Sequence, residues 1–306
     1  MNVTLKDVPT GTAPTRIAIR TVLCATDFSA PAQAAFLCAL GIARAHEAEL
    51  IILHVVPPAP FDPQAGFLIT PDQLEKNAKE GLKQLGWNAG KVHHRLLLRS
   101  GEVWPAVNDV INKEEIDLLV LGTHGRSGAG RLVLGSVAEE ILRRANCPVL
   151  TVGPNAIAAN GMMTKPCAEA RRILFATDFS AESGAAMPLA LSLAQENQAK
   201  LVLLYVLEQT DHDYRRDPER ALAFLTNELR KMVPEDAKLW CEPECLIEFG
   251  PPAEKILETG GILNADMIIM GVRSPGDRLF AATHLSASTV HKVIAGAACP
   301  VLTVLG

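Results

Sequence analysis

Apolar and polar positions along the chain fall into short, wholly apolar runs that alternate with amphipathic stretches. In the first half, Ile17 to Ala25, Leu50 to Val56, Val92 to Arg99, Leu118 to Leu121 and Val149 to Val152 read as buried strands. A helix follows Ser29, which can N-cap it, with Pro31 near its start, where a missing N–H costs little. Pro71 to Leu85 reads as an amphipathic helix with Leu74, Leu82 and Leu85 on its core face and Gly86 near its end. Val103 to Lys113 and Ser136 to Ala145 read as two more helices. Five strands with intervening helices predict an α/β domain built on a doubly wound parallel sheet.

The pattern then repeats. Ala25-Thr26-Asp27-Phe28-Ser29-Ala30 recurs letter for letter as Ala176-Thr177-Asp178-Phe179-Ser180-Ala181, and Cys147-Pro148-Val149-Leu150-Thr151-Val152 recurs as Cys299-Pro300-Val301-Leu302-Thr303-Val304. Between these, Leu53-His54-Val55 matches Leu204-Tyr205-Val206, and the segment from Asp117 to Gly122 matches Asp266 to Gly271. Identities in the same order at a near-constant offset predict two homologous domains. The expected organisation is a tail over 1–15, a first domain over 16–154, a linker over 155–170 and a second domain over 171–306. In the second copy Pro243 falls inside the third strand, which suits a 3-2-1-4-5 strand order because that order leaves the third strand at an edge. Ligands of such sheets bind beyond the carboxyl ends of the strands where the order reverses, here between strands one and four.

Composition narrows the function. The chain has 306 residues, 48% hydrophobic and 21% charged, which excludes long disorder. The net charge of −5 lies entirely in the second half, and there is no basic surplus of the kind a nucleic-acid binder shows. No apolar run approaches a membrane span, and residues 1–15 lack a signal-peptide core, so a cytoplasmic location is expected. The seven cysteines read as small apolar residues of a reducing compartment, with Cys147 and Cys299 in the core. Cys241 and Cys245 lack the second pair or nearby His of a zinc site. His54, His93 and His94 read as structural, and no metal site is expected.

The segment after strand four, Gly122-Thr-His-Gly-Arg-Ser-Gly-Ala-Gly-Arg-Leu-Val-Leu-Gly-Ser136, is rich in glycine and opens a helix. Backbone N–H groups without a neighbouring Cβ and a helix N-terminus suit a phosphate. Ser136 can cap that helix or donate to a phosphate oxygen, and Asp27 can accept from ribose hydroxyls or a base amine. It is neither a Walker A loop, since no Gly-Lys-Ser/Thr follows, nor a dinucleotide fingerprint, which sits after the first strand. For His124, ligand contact and ordinary loop packing both stay open, and for Arg126 and Arg131, phosphate neutralisation and exposed ion pairing both stay open.

The spacing Gly122-x2-Gly125-x9-Gly135-Ser136, the Ala-Thr-Asp-Phe-Ser opening and the Cys-Pro-Val-Leu-Thr-Val ending resemble the universal stress protein (UspA) family in its tandem form, over nearly the whole chain. The resemblance implies two tandem five-stranded parallel sheets of order 3-2-1-4-5, Rossmann-like or flavodoxin-like, with helices on both faces. It implies ATP as the ligand, with or without Mg2+. Ala25, Thr26 and Asp27 would hold adenosine, Val55 the adenine, Leu121, Gly122, His124 and Gly125 the ribose and first phosphates, and Gly135, Ser136 and Val137 the outer phosphates. It further implies pairing through last strands, here between the two domains of one chain, with a homodimer and a protein partner also open.

The second copy departs from this motif. Gly271 and Ser288 survive, but Ser274 and Ala287 replace two glycines, and Pro275 removes a donor. Asp178 and Val206 remain. The expectation is a protein that binds ATP in its first domain as a regulatory or structural ligand in a stress response, and not in its second. No catalytic residue is assigned, because no P-loop lysine, carboxylate cluster or base for water is evident. A slow ATP hydrolase and an interaction scaffold are the alternatives.

Overall fold

A computed structural model of the chain describes residues 17–58, 61–62, 66–67, 70–123, 134–158, 163–165, 167–208, 217–272 and 287–306. The first half runs β1 (Thr21–Ala25), α1 (Ala30–Ala45), β2 (Glu49–Val56), a small hairpin β3 (Phe61–Asp62) and β4 (Gly66–Phe67), α2 (Pro71–Ala89), β5 (His94–Ser100), α3 (Val103–Lys113), β6 (Leu118–Gly122), α4 (Ser136–Arg144) and β7 (Val149–Val152). The second runs β8 (Arg172–Thr177), α5 (Ala181–Asn197), β9 (Lys200–Leu207), α6 (Pro218–Lys231), β10 (Glu244–Phe249), α7 (Pro252–Ile262), β11 (Met267–Val272), α8 (Ala287–Gly296) and β12 (Val301–Leu305).

All strands except the hairpin join one ten-stranded sheet, ordered β10-β9-β8-β11-β12-β7-β6-β1-β2-β5, so each half reads 3-2-1-4-5. Neighbours within each half are parallel, and β7 pairs with β12 antiparallel, with Leu150 opposite Leu302. Alternate strand residues face opposite layers. Leu50 and Ile52 join one buried cluster with residues of α1, α2, α5 and α6, while Ile51, Leu53 and Val55 join another with α3, α4, α7 and α8. Both clusters continue across the junction of the halves. There the repeated motif explains itself: the Thr151 hydroxyl donates to Val301 O at 3.0 Å, and the Thr303 hydroxyl donates to Val149 O at 3.1 Å.

The caps set the helix starts. Ser29 accepts from Ala32 N with Pro31 in the first turn, and Thr70 caps α2 ahead of Pro71. The helix α2 passes Gly86, the expected stop, and ends at Gly90, whose φ of +61° lies in the left-handed region glycine tolerates. Gly86 is a packing residue, since a Cβ there would lie 3.1 Å from Leu96 Cδ1. β1 starts at Thr21, not Ile17, because Asp117 Oδ2 accepts from Arg20 N and Thr21 N, and Ile17 N donates to Ser192 Oγ of α5. Asp266 repeats this with Arg171 N and Arg172 N. Pro243 lies just before β10 rather than within it, and β10 is an edge strand.

The described part of the connection between the halves is fastened to both. Thr164 Oγ1 donates to Ala298 O, and Lys165 Nζ donates to Asn264 O and Ala265 O. Cys167 forms a disulfide with Cys38 of α1, Cα to Cα 5.2 Å. This corrects the reading of all seven cysteines as plain apolar residues: folding places α1 against the connection, bringing together two cysteines at a sequence separation of 129. Burial pushes the thiols of Cys24, Cys147 and Cys299 up to about 12, as expected of core residues.

Candidate functional site

The turn leaving β1 is built from side-chain-to-backbone hydrogen bonds. Thr26 Oγ1 accepts from Phe28 N at 3.0 Å, and Asp27 Oδ1 accepts from Ser29 N at 3.0 Å. Between them Phe28 takes a φ of +63°, costly for a bulky L-residue. Packing holds it there. Its ring lies on His54 with centroids 4.4 Å apart, and a Cβ at Gly81 would come within 2.8 Å of it. His54 is buried, and its Nδ1 lies 2.7 Å from Thr26 O. A carbonyl only accepts, so Nδ1 carries the proton. Thus His54 is structural, as read from the sequence, and fixes the turn that presents Asp27.

The opposite wall starts at the end of β6. A Cβ on Gly122 would stand 2.7 Å from Pro31 C and 2.9 Å from Ala32 N, so only glycine lets β6 meet the first turn of α1 this closely. Thr123 is buried, its N and Oγ1 both donating to Val152 O. Its own carbonyl accepts from Gly135 N at 2.9 Å, which closes the base of the glycine-rich segment. Gly135 is the N-cap of α4, without a side-chain cap, and Ser136 is the first residue of the helix. Ser136 is therefore not the cap that the sequence allowed. Among the described residues no side chain caps this first turn, whose N–H groups and positive dipole end suit an anion.

These walls enclose a cavity of about 210 Å³. Ala25, Thr26, Asp27, Val55, Leu121, Gly122, Gly135, Ser136 and Val137 line it together. His124 and Gly125, with Arg126 and Arg131, lie outside the described residues. Sequence reasoning missed Ala32, Leu53, Thr123, Val103, Val107, Ala138 and Ile141, which complete the lining. Val103 and Val107 form an i, i+4 apolar pair, but that spacing reads equally as core. Among the described residues no group of three or more His, Cys, Asp or Glu is placed to hold a metal, and no helix is long and apolar enough to cross a membrane.

Residues 18–153 and 169–304 each match the universal stress protein family. The chain belongs to that family. A universal stress protein of Methanocaldococcus jannaschii is 34% identical over 125 residues, covering 37% of this chain and 70% of that protein. The crystal structure of a universal stress protein from Archaeoglobus fulgidus superposes with a TM-score of 0.67 at 22% identity, covering 93% of this chain and 98% of that one. A functionally unknown protein from Pseudomonas aeruginosa superposes with a TM-score of 0.59 at 17% identity, covering 94% of this chain and 93% of that one. These two likenesses are of fold alone. In this universal stress protein the turn recurs in the second half, with Phe179 at φ +59° stacked on Tyr205 at 4.7 Å. Residues 273–286, where Ser274 and Pro275 replace the motif, lie outside the described residues, and Ala287 opens α8.

Proposed function

We propose that this universal stress protein binds one ATP per chain, in the crevice of its first domain (16–154), as a regulatory or structural ligand in a stress response, and that its second domain (171–306) does not bind ATP. The observation that carries this reading is the convergence of Asp27, an apolar lining and the N-terminus of α4 on one cavity. Leu53, Val55 and Leu121 offer a dry surface to a base. Asp27 accepts from ribose hydroxyls or a base amine. The first-turn N–H groups of α4 and the Ser136 hydroxyl donate to phosphate oxygens, with the helix dipole adding to the attraction. A magnesium ion held by the phosphates keeps most of its waters and needs few protein ligands, so the described residues fit that form of the nucleotide. Binding to the native state alone stabilises it by about 2.7 kcal/mol at a hundredfold excess over Kd.

The test is to identify by mass the nucleotide that co-purifies with the full chain, then to incubate the protein with ATP and Mg2+. ATP bound at about one per chain and intact after hours supports the proposal. Steady release of ADP or AMP replaces it with a hydrolase, and absence of both nucleotide and thermal shift replaces it with a scaffold. Two ATP per chain would refute the asymmetry.

A further inference from the structure

The two halves follow each other closely through the turn after their first strand. Thr177 Oγ1 accepts from Phe179 N and Asp178 Oδ1 accepts from Ser180 N, as Thr26 and Asp27 do for their neighbours. They part three residues beyond the capping serine. Ala32 lines the first crevice, whereas Ser183 stands at the equivalent place in the second. Ser183 is 0% exposed, and its Oγ sits in a cluster of hydroxyls. Thr177 Oγ1 donates to it at 3.0 Å, and it reaches Asp178 Oδ1 at 3.2 Å, Ser180 O at 3.0 Å and Ser180 Oγ at 3.2 Å. A hydroxyl has one proton, and the carboxylate is its strongest acceptor here. Asp178 is 7% exposed, while Asp27 is half-buried. Close backbone packing keeps the serine in place, since a Cβ on Gly271 would run into the backbone of Glu182 and Ser183.

We propose that Ser183 is a latch that holds Asp178 inside the fold and closes the nucleoside end of the second crevice. The choice of one occupied crevice then rests on two separate changes: the glycines lost from the phosphate segment, and a single hydroxyl added beneath the aspartate. A chain that regained the glycines would still present a committed carboxylate. This inference rests on the reading of Asp27 as a ligand contact, and its test is built to separate the two.

The experiment is a reciprocal exchange in the full chain, read by calorimetric titration. Ala32→Ser places the hydroxyl beneath Asp27, in a turn that already tolerates it in the second half. ATP affinity is expected to fall by about tenfold or more, the range of a hydrogen bond to a charged group. Asp27→Ala is the control for the site. If Asp27→Ala leaves affinity unchanged, the site reading fails. If Asp27→Ala weakens binding and Ala32→Ser leaves it within about twofold, the latch alone fails. Should Ala32→Ser not fold, Ser183→Ala decides with adenosine as the probe. A second adenosine per chain upholds the latch, and a single one overturns it.

Discussion

The Cys38–Cys167 disulfide gives the sharpest stability prediction. The bond ties α1 to the connection between the halves and closes a loop spanning 129 residues of sequence. Removing that constraint from the unfolded chain is worth about 5 kcal/mol by the loop-entropy relation, and about 2–4 kcal/mol is typical of measured bridges. For Cys38→Ala/Cys167→Ala we expect a loss of about 3 kcal/mol. The continuous sheet and the two cores shared across β7 and β12 imply that the halves melt as one unit. For a chain of this length the unfolding entropy is about 0.6 kcal/mol/K, so Tm falls by about 5 °C; a first half melting alone would shift by about twice that. Both sulfurs are buried, so a reductant acts only on an opened chain, and reduction is best done in denaturant before refolding. Calorimetry of oxidised, reduced and double-variant protein is the assay, with Cys24→Ala as the control for lost packing at a fully buried thiol. A double variant that melts within about 1 °C of the oxidised protein, or intact mass showing seven free thiols in protein kept from reductant, would refute the reasoning.

Four further outcomes are expected. Gly122→Ala must part β6 from the backbone of Pro31 and Ala32 and is expected to cost about 1–3 kcal/mol in urea unfolding. Gly184→Ala, with open space around it in α5, is expected to gain about 0.5–1 kcal/mol, and equal effects at the two sites would contradict the close approach. Thr151→Val/Thr303→Val strips both hydroxyls from the β7–β12 junction and is expected to cost about 1 kcal/mol per bond, with no loss in denaturant unfolding as the contrary result. The Arg95 guanidinium bonded to Glu114 holds that carboxyl below the usual carboxylate range. Its contribution is therefore complete at neutral pH and fades as acid drives pH through the lowered pKa. Arg95→Gln should move the Glu114 titration upward by NMR, and an unmoved titration would contradict this.

Local rules reached far in this chain and failed where a partner was distant. The limits of α3 and β7 were legible because caps and apolar runs are local, and the crevice was legible because strand-order reversal fixes where a doubly wound sheet binds. The start of β1 was not, since Asp117 sets it from nearly a hundred residues away. Gly86 misled because a glycine can end a helix or admit a neighbour, and only the position of Leu96 decides between them. The disulfide had no signature in spacing. Val103 and Val107 looked like core because the stripe that packs α3 on the sheet also walls the crevice.

The junction also determines how the two crevices can communicate. Strands within each half are parallel, while β7 and β12 run antiparallel, so the carboxyl ends of the two half-sheets point in opposite directions. The crevices, each beyond the carboxyl ends of its own first and fourth strands, therefore open at opposite edges of the sheet. Contact between the halves runs through β6, β7, β12 and β11, where Leu150 faces Leu302 and each threonine hydroxyl is committed to the opposite strand, and through the two cores that cross the same junction. Close-packed strands of this kind resist small displacements. The two halves thus diverge in sequence at their crevices, as the proposed binding and latch require, while the Cys-Pro-Val-Leu-Thr-Val strands that join them stay identical.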